Sequence, residues 1–140
     1  MSKVAVVYRS GTGNTEAMAN SVADGAKAAG AEVKMFTSGE FSSSDVDGFD
    51  GIAFGCPAMG AEVLEEEEFQ PMWDDVKGNL GGKKTGLFGS YGWGSGEWMD
   101  NWAEDAKMSN AALVADPVIA NNEPDDDAKT ACEALGAALA

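Results

Sequence analysis

Tyr8-Arg9-Ser10-Gly11-Thr12-Gly13-Asn14-Thr15 joins an apolar run to a helical one, and the nature of those two neighbours decides the fold. Before it, Lys3-Val4-Ala5-Val6-Val7-Tyr8 has the β-branched density of a buried parallel strand. After it, Met18, Val22, Ala26 and Ala29 recur as on one helical face. A tight loop between strand and helix can turn its N–H groups inward and present the positive helix end to a phosphate. Ser10, Thr12, Asn14 and Thr15 add side-chain donors, while Gly11 and Gly13 permit close backbone approach. A Ser/Asn-capped turn with no ligand would use the same residues, so the rest of the chain must arbitrate.

One hundred and forty residues suit a single domain, spanning 1–140. A formal charge of -15 repels nucleic acid and anionic membrane surfaces and favours basic protein partners. The 44% hydrophobic content opposes disorder, and no apolar run is long enough to span a membrane or serve as a secretion signal. A cytoplasmic protein is expected. Cys56 and Cys132 lack metal-site spacing and read as core thiols, and the absence of His removes the commonest metal ligand and general base.

Further along, Glu32-Val33-Lys34-Met35-Phe36-Thr37 alternates as an edge strand does, after Gly30 as a helix C-cap. Residues 38–49 read as a loop or short weak helix anchored by Phe41, Val46 and Phe49. Gly51-Ile52-Ala53-Phe54-Gly55-Cys56, ended by Pro57, is a central strand. Glu65 to Glu68 precede a helix marked by Phe69, Met72, Trp73, Val76 and Leu80, where acids cap the positive end and Pro71 is tolerated. Those glutamates also form a candidate docking rim. Residues 83–89 read as a fourth strand, running into the loop Ser90-Tyr91-Gly92-Trp93-Gly94-Ser95-Gly96, whose glycines can hold an exposed Trp against something flat. A helix from Glu97 turns Trp98, Met99, Trp102 and Ala106 inward. A fifth strand occupies 111–119 with an interruption at Asp116-Pro117, then comes a loop at 121–124. The last helix aligns Ala128, Ala131, Cys132, Leu135 and Leu139.

Alternating strands and helices specify a doubly wound α/β domain, whose ligand lies beyond the carboxyl ends of the strands. The loops at 9–15, 57–62 and 90–96 all follow strands at that edge. Together they offer an anion cradle beside a slot lined by soft or aromatic side chains.

Ser10-Gly11-Thr12-Gly13-Asn14-Thr15, Ala58-Met59-Gly60 and Gly89-Ser90-Tyr91-Gly92-Trp93-Gly94 resemble the FMN-binding loops of the short-chain flavodoxins of anaerobic bacteria, in order and across essentially the whole chain. The P-loop and dinucleotide fingerprints do not match, the first for want of a lysine and the second failing at Glu16. The resemblance implies a five-stranded parallel sheet of order 2-1-3-4-5, with helices on both faces and one non-covalent FMN. It places the 5'-phosphate on residues Ser10 to Thr15. It sets Met59 and Trp93 against the two faces of the isoalloxazine, within the loops Pro57-Ala58-Met59-Gly60-Ala61-Glu62 and Ser90-Tyr91-Gly92-Trp93-Gly94. The Gly60-Ala61 peptide then faces N5, Glu62 accepts from N3, and Asn122 reaches in from the fifth loop. Two departures stand out: Arg9, where relatives often carry an aromatic, brings a formal charge to the cradle, and Ala61 replaces a residue that is often Asp, Asn, Gly or Ser.

The implied function is a low-potential one-electron carrier, using the oxidised, semiquinone and hydroquinone states and able to substitute for ferredoxin. It would be a monomer that meets redox proteins through their basic surfaces, and no enzyme. A flavin-dependent quinone reductase of the same fold is the alternative, though the chain lacks the long insertions that build a substrate pocket. A receiver-type signalling domain would need acids after the first strand, where Tyr8-Arg9-Ser10 stands.

Overall fold

The computed structural model describes residues 2–9, 13–58, 68–92 and 96–140. Strands β1 (Lys3–Tyr8), β2 (Glu32–Thr37), β3 (Gly51–Gly55) and β4 (Lys84–Tyr91) form a parallel sheet in the order β2-β1-β3-β4. Two short strands, β5 (Ala112–Leu113) and β6 (Val118–Asn121), both pair with β4 beyond it. Together they fill the place of the expected fifth strand, and the order 2-1-3-4-5 is that of the flavodoxin-like sandwich.

The interruption expected at Asp116-Pro117 has a structural cause. Leu113 lies opposite Thr85 and Val118 opposite Phe88, so four residues, Val114 to Pro117, stand against only Gly86 and Leu87. The surplus loops out of the ladder, where Pro117 has no N–H to offer. The strand then runs to Asn121, two residues past the expected end, and β4 likewise continues through Ser90 and Tyr91, which the sequence placed in a loop.

Alternation in the strands builds two cores. Ala5, Val7, Ile52, Phe54 and Leu87 face one way, beneath α2 (Phe69–Val76) and α3 (Glu97–Met108). Val4, Val6, Ala53 and Phe88 face the other, beneath α1 (Asn14–Ala28) and α4 (Asp126–Leu139). Burial on both faces is why β1 and β3 read as unbroken apolar runs. Phe41 and Val46 are buried and Phe49 packs against them, through two 3-10 turns at Ser38–Glu40 and Ser43–Gly48 that carry capping boxes. Trp98, Met99, Trp102 and Ala106 are all buried, as are Phe69, Met72, Trp73, Val76 and Leu80.

Three local expectations need correction. Ala29 is exposed, because α1 ends at Ala28 and Gly30, at φ 93°, closes it with N–H bonds back to Lys27 and Ala26 from Gly30 and Ala31. Ala131 is exposed because α4 lies at the sheet margin and buries only the stripe Cys132, Leu135, Gly136 and Leu139. Glu68 occupies the N-cap of α2, yet its carboxylate accepts from the Ser38 hydroxyl at 2.9 Å instead of capping the helix. Glu65, Glu66 and Glu67 lie outside the described residues.

Helices α1 and α4 cross at backbone distance. A Cβ on Gly25 would overlap the Glu133 carbonyl, and one on Gly136 would overlap the Val22 carbonyl and stand 2.8 Å from the Ala26 nitrogen. Neither glycine was singled out by the hydrophobic period, which registers side chains and not their absence.

Both cysteines are buried and free. Burial, with Glu133 adding to it, pushes the Cys132 thiol up from 9.0 to about 12. Raised in the folded chain, this group contributes stability that is complete below about pH 9 and is lost as pH climbs toward 12. In the native chain at pH 8 Cys132 is expected to resist iodoacetamide, and to alkylate readily once urea unfolds the protein; peptide mass mapping reads the difference.

Acids gather at one edge of the sheet, while at the other lysines are mixed with Glu32, Asp50, Asp74 and Asp105. Lys3 and Lys84 open strands, and Lys27, Lys77 and Lys107 follow or close helices, all at the amino edge. First-turn acids Glu16, Glu97, Asp100, Asp126 and Asp127 stand at the opposite edge. No described helix is long and apolar enough to cross a membrane.

Candidate functional site

All described residues of the expected site converge on the carboxyl edge of the sheet. The β1–β3 and β3–β4 ladders are prolonged past the named strands: Arg9 N–H donates to the Gly55 carbonyl at 2.9 Å, Cys56 N–H to Phe88 at 3.1 Å, and Ala58 N–H to Ser90 at 3.0 Å. Pro57 and Ala58 are thereby fixed beside Ser90 and Tyr91. A second tie comes from the core, where the buried indole N–H of Trp98 donates to the Cys56 carbonyl at 3.2 Å. Gly89 makes this approach possible, since a Cβ there would overlap the same carbonyl oxygen and press on the Trp98 ring at 3.1 Å. Sequence reading gave Trp98 only a packing role.

The fourth side of the edge is Asn122. It sits at φ 59°, a left-handed position that Asn tolerates, and its N–H donates to the Tyr91 carbonyl at 2.6 Å. The Ser90 hydroxyl, buried, donates to the Asn122 carbonyl at 3.1 Å. The Asn122 side chain stands over Gly92, where an added Cβ would meet its Oδ1 at 3.5 Å. Tyr91 turns its ring into the core against Trp98, centroids 5.5 Å apart, and so offers the edge its backbone.

At the cradle, Gly13 adopts φ 90° as the N-cap of α1 and supplies no side-chain cap. The first-turn N–H groups that follow have no helical carbonyl to meet. Asn14 is half-buried and Thr15 is 1% exposed. The Thr15 hydroxyl is buried with no hydrogen-bond partner among the described residues. A buried hydroxyl without a partner costs free energy, and an oxyanion seated at the start of α1 would satisfy it together with the helix N–H groups. The residues present therefore fit a phosphate. Tyr8, just below, has its phenol pushed up by burial and by the nearby Glu16 and Glu40 carboxylates. It remains neutral at physiological pH.

Ser10, Gly11, Thr12, Met59, Gly60, Ala61, Glu62, Trp93 and Gly94 lie outside the described residues. Among the described residues no cluster of His, Cys, Asp and Glu could hold a metal ion.

The flavodoxin family model matches residues 6–135. Flavodoxin of Megasphaera elsdenii is 47% identical over 137 residues, covering 98% of each chain. That of Clostridium beijerinckii is 41% identical, over 96% of this chain and 97% of its own. The solution structure of two-electron reduced Megasphaera elsdenii flavodoxin superposes with a TM-score of 0.89, covering 97% of each chain at 47% identity. With fold, cradle and sequence in agreement over nearly the full length, this chain belongs to the flavodoxin family of FMN-binding electron-transfer proteins.

Proposed function

We propose that the chain is a monomeric, single-domain, low-potential carrier that moves one electron at a time on non-covalent FMN and can stand in for ferredoxin. The observation that carries the reading is the buried Thr15 hydroxyl at the start of α1, without a partner among the described residues, on the same edge as Ala58, Gly92 and Asn122. Ser10 to Thr15 would hold the 5'-phosphate, Met59 and Trp93 the ring faces, and the backbone near Gly60, Gly92 and Gly94 the ring edge. FMN supplies the redox chemistry, and the chain binds it, shields it and sets its potentials. The two-electron reduced state of the Megasphaera elsdenii protein supports a carrier whose cofactor can be fully reduced. Placing negative charge beside Glu62 and a fixed phosphate is electrostatically costly, and so lowers the second potential. With a charge of -15, the chain would meet basic-surfaced redox proteins in the cytoplasm, through a rim of Glu62 and Glu65 to Glu68.

Spectra of the purified protein during stepwise reduction test this directly. A yellow protein that passes through an accumulating blue one-electron form is expected; sustained NADPH-to-quinone turnover would favour the quinone reductase instead. Ala61 permits a finer test. If the Gly60 carbonyl turns toward N5 on reduction, Ala61 must take positive φ at a cost on the order of 1 kcal/mol, which Gly would avoid. Ala61→Gly is then expected to raise the first potential by roughly 40 mV, at about 59 mV per tenfold change for one electron. Potentiometric titration that finds the first potential unchanged or lowered removes the turn from the argument.

A further inference from the structure

The sheet has an open margin on the far side of β6. Among the described residues Val118 to Asn121 pair with β4 alone, and the Asn122 N–H bond to Tyr91 sets the alternation. The N–H groups of Ala120 and Asn122 therefore face β4, and those of Ile119 and Asn121 face outward. Ile119 is 39% exposed, one of two large apolar side chains so exposed among the described residues. Between this margin and α4 runs a groove of about 350 Å³, bounded by Ile119, Asn121, Glu123, Asp127, Ala128 and Ala131. Its α4 wall is made of alanine methyls, which leave the outward strand edge accessible, and carboxylates close its upper end. Lys129 is the sole cation of α4.

We propose that this groove is a docking site for an extended, cationic segment of a protein partner, which adds to β6 as a further strand. An extended chain matches the two outward N–H groups and the carbonyls beside them. Alternation in that segment would set one apolar side chain against Ile119, which lies on the α3 side of the strand with its Cδ1 beside Gly96, and direct Lys or Arg on the α4 side toward Glu123 and Asp127. Charge selects among occupants. A second copy of this chain, at -15, would bring its own acids against these, and nucleic acid would be repelled outright. That the partner is a redox protein rests on the carrier reading; the groove and its charge do not. The segment would enter beside Asn122, on the edge where the cofactor is bound, so that docking here and contact with the cofactor are compatible.

The test uses the FMN-loaded full chain, labelled with nitrogen-15, and acetyl-Lys-Val-Lys-Val-Lys-amide as the probe, with the Glu-Val analogue as control. Saturable shift changes confined to residues 118–131 are expected. Near saturation, hydrogen exchange at the Ile119 and Asn121 amides should slow at least threefold. Glu123→Gln with Asp127→Asn should weaken the cationic probe at least tenfold at low salt, and Ile119→Ser at least threefold; Asp125 is left intact because its carboxylate caps α4 by accepting from Ala128 N–H at 2.8 Å. Shifts centred on residues 62–68, equal binding of the two peptides, or binding without slower exchange at Ile119 and Asn121 would each overturn the proposal. The same titration on the FMN-free chain separates the two readings, since failure to bind FMN removes the carrier and leaves the groove to be judged on the peptide alone.

Discussion

Gly136→Ala is expected to destabilise the fold by about 3 kcal/mol, the upper range for overpacking a close contact. The methyl group would enter the space of the Val22 carbonyl, and both neighbours are backbone, so no rotamer change can relieve it. Helices α1 and α4 would have to separate, and the α1–α4 core, with Val22, Ala26, Cys132 and Leu135, would open with them. Alanine's better helix propensity offsets this by only about 1 kcal/mol. Urea unfolding checks the result: a midpoint equal to or above that of the parent would mean that the helices part without cost. Ala137→Gly, one residue on and exposed, is the control and should cost only about 1 kcal/mol, through propensity alone.

A second substitution should act with opposite signs on two measurements. Thr15→Val keeps the shape of the side chain and removes a hydroxyl that is buried without a partner among the described residues. Deleting an unsatisfied polar group should leave the FMN-free protein as stable as before or more stable, by about 1 kcal/mol. If Thr15 belongs to the proposed phosphate cradle, the same change removes a hydrogen bond to phosphate, and a bond to a charged group is worth roughly 1.5–3 kcal/mol, so FMN should bind about ten- to a hundredfold more weakly. Riboflavin, which has no phosphate, should be unaffected. Fluorescence titrations with the two flavins decide the matter. Equal losses for both, or none for FMN, would remove Thr15 from the cradle. Asn14→Ala, at a half-buried neighbour, should follow the same flavin preference without the gain in ligand-free stability.

How far the sequence could be read depended on where each residue sits in the sandwich. The runs of β1 and β3 are apolar at nearly every position because both faces are covered, so their limits came out within a residue. β5 and β6 lie at a margin, where partial exposure leaves little periodicity, and only Asp116-Pro117 betrayed the break. Ala131 was misplaced for a related reason: alanine fits a helix face whether or not anything covers it. Gly25 and Gly136 were invisible, since a glycine inside a helical pattern does not say whether the space beside it is empty or filled by another backbone. At the site, a cradle could be proposed from the sequence because donors and glycines cluster in one stretch. The indole bond from Trp98 to Cys56 was not, because the residues are 42 apart and only the folded edge brings them together.

The acids gathered in the first turns of the helices give the molecule an uneven field. Each helix contributes about half a positive charge at the carboxyl edge of the sheet. Against this, α1 sets one full negative charge in its first turn, and α3 and α4 two each. At the amino edge the helix ends are negative by about half a unit; Lys27 and Lys107 offset this at two of them, while Lys77 is paired with Asp74 and Asp105 at 3.5 and 3.2 Å. At the carboxyl edge the side chains outweigh the backbone. A positively charged body approaching through dilute salt would therefore exert a torque on this protein before touching it, turning forward the edge proposed to hold the cofactor. Part of the rotational search that precedes electron transfer is then completed at a distance, and that advantage disappears as added salt shortens the range of the field to about 10 Å or less.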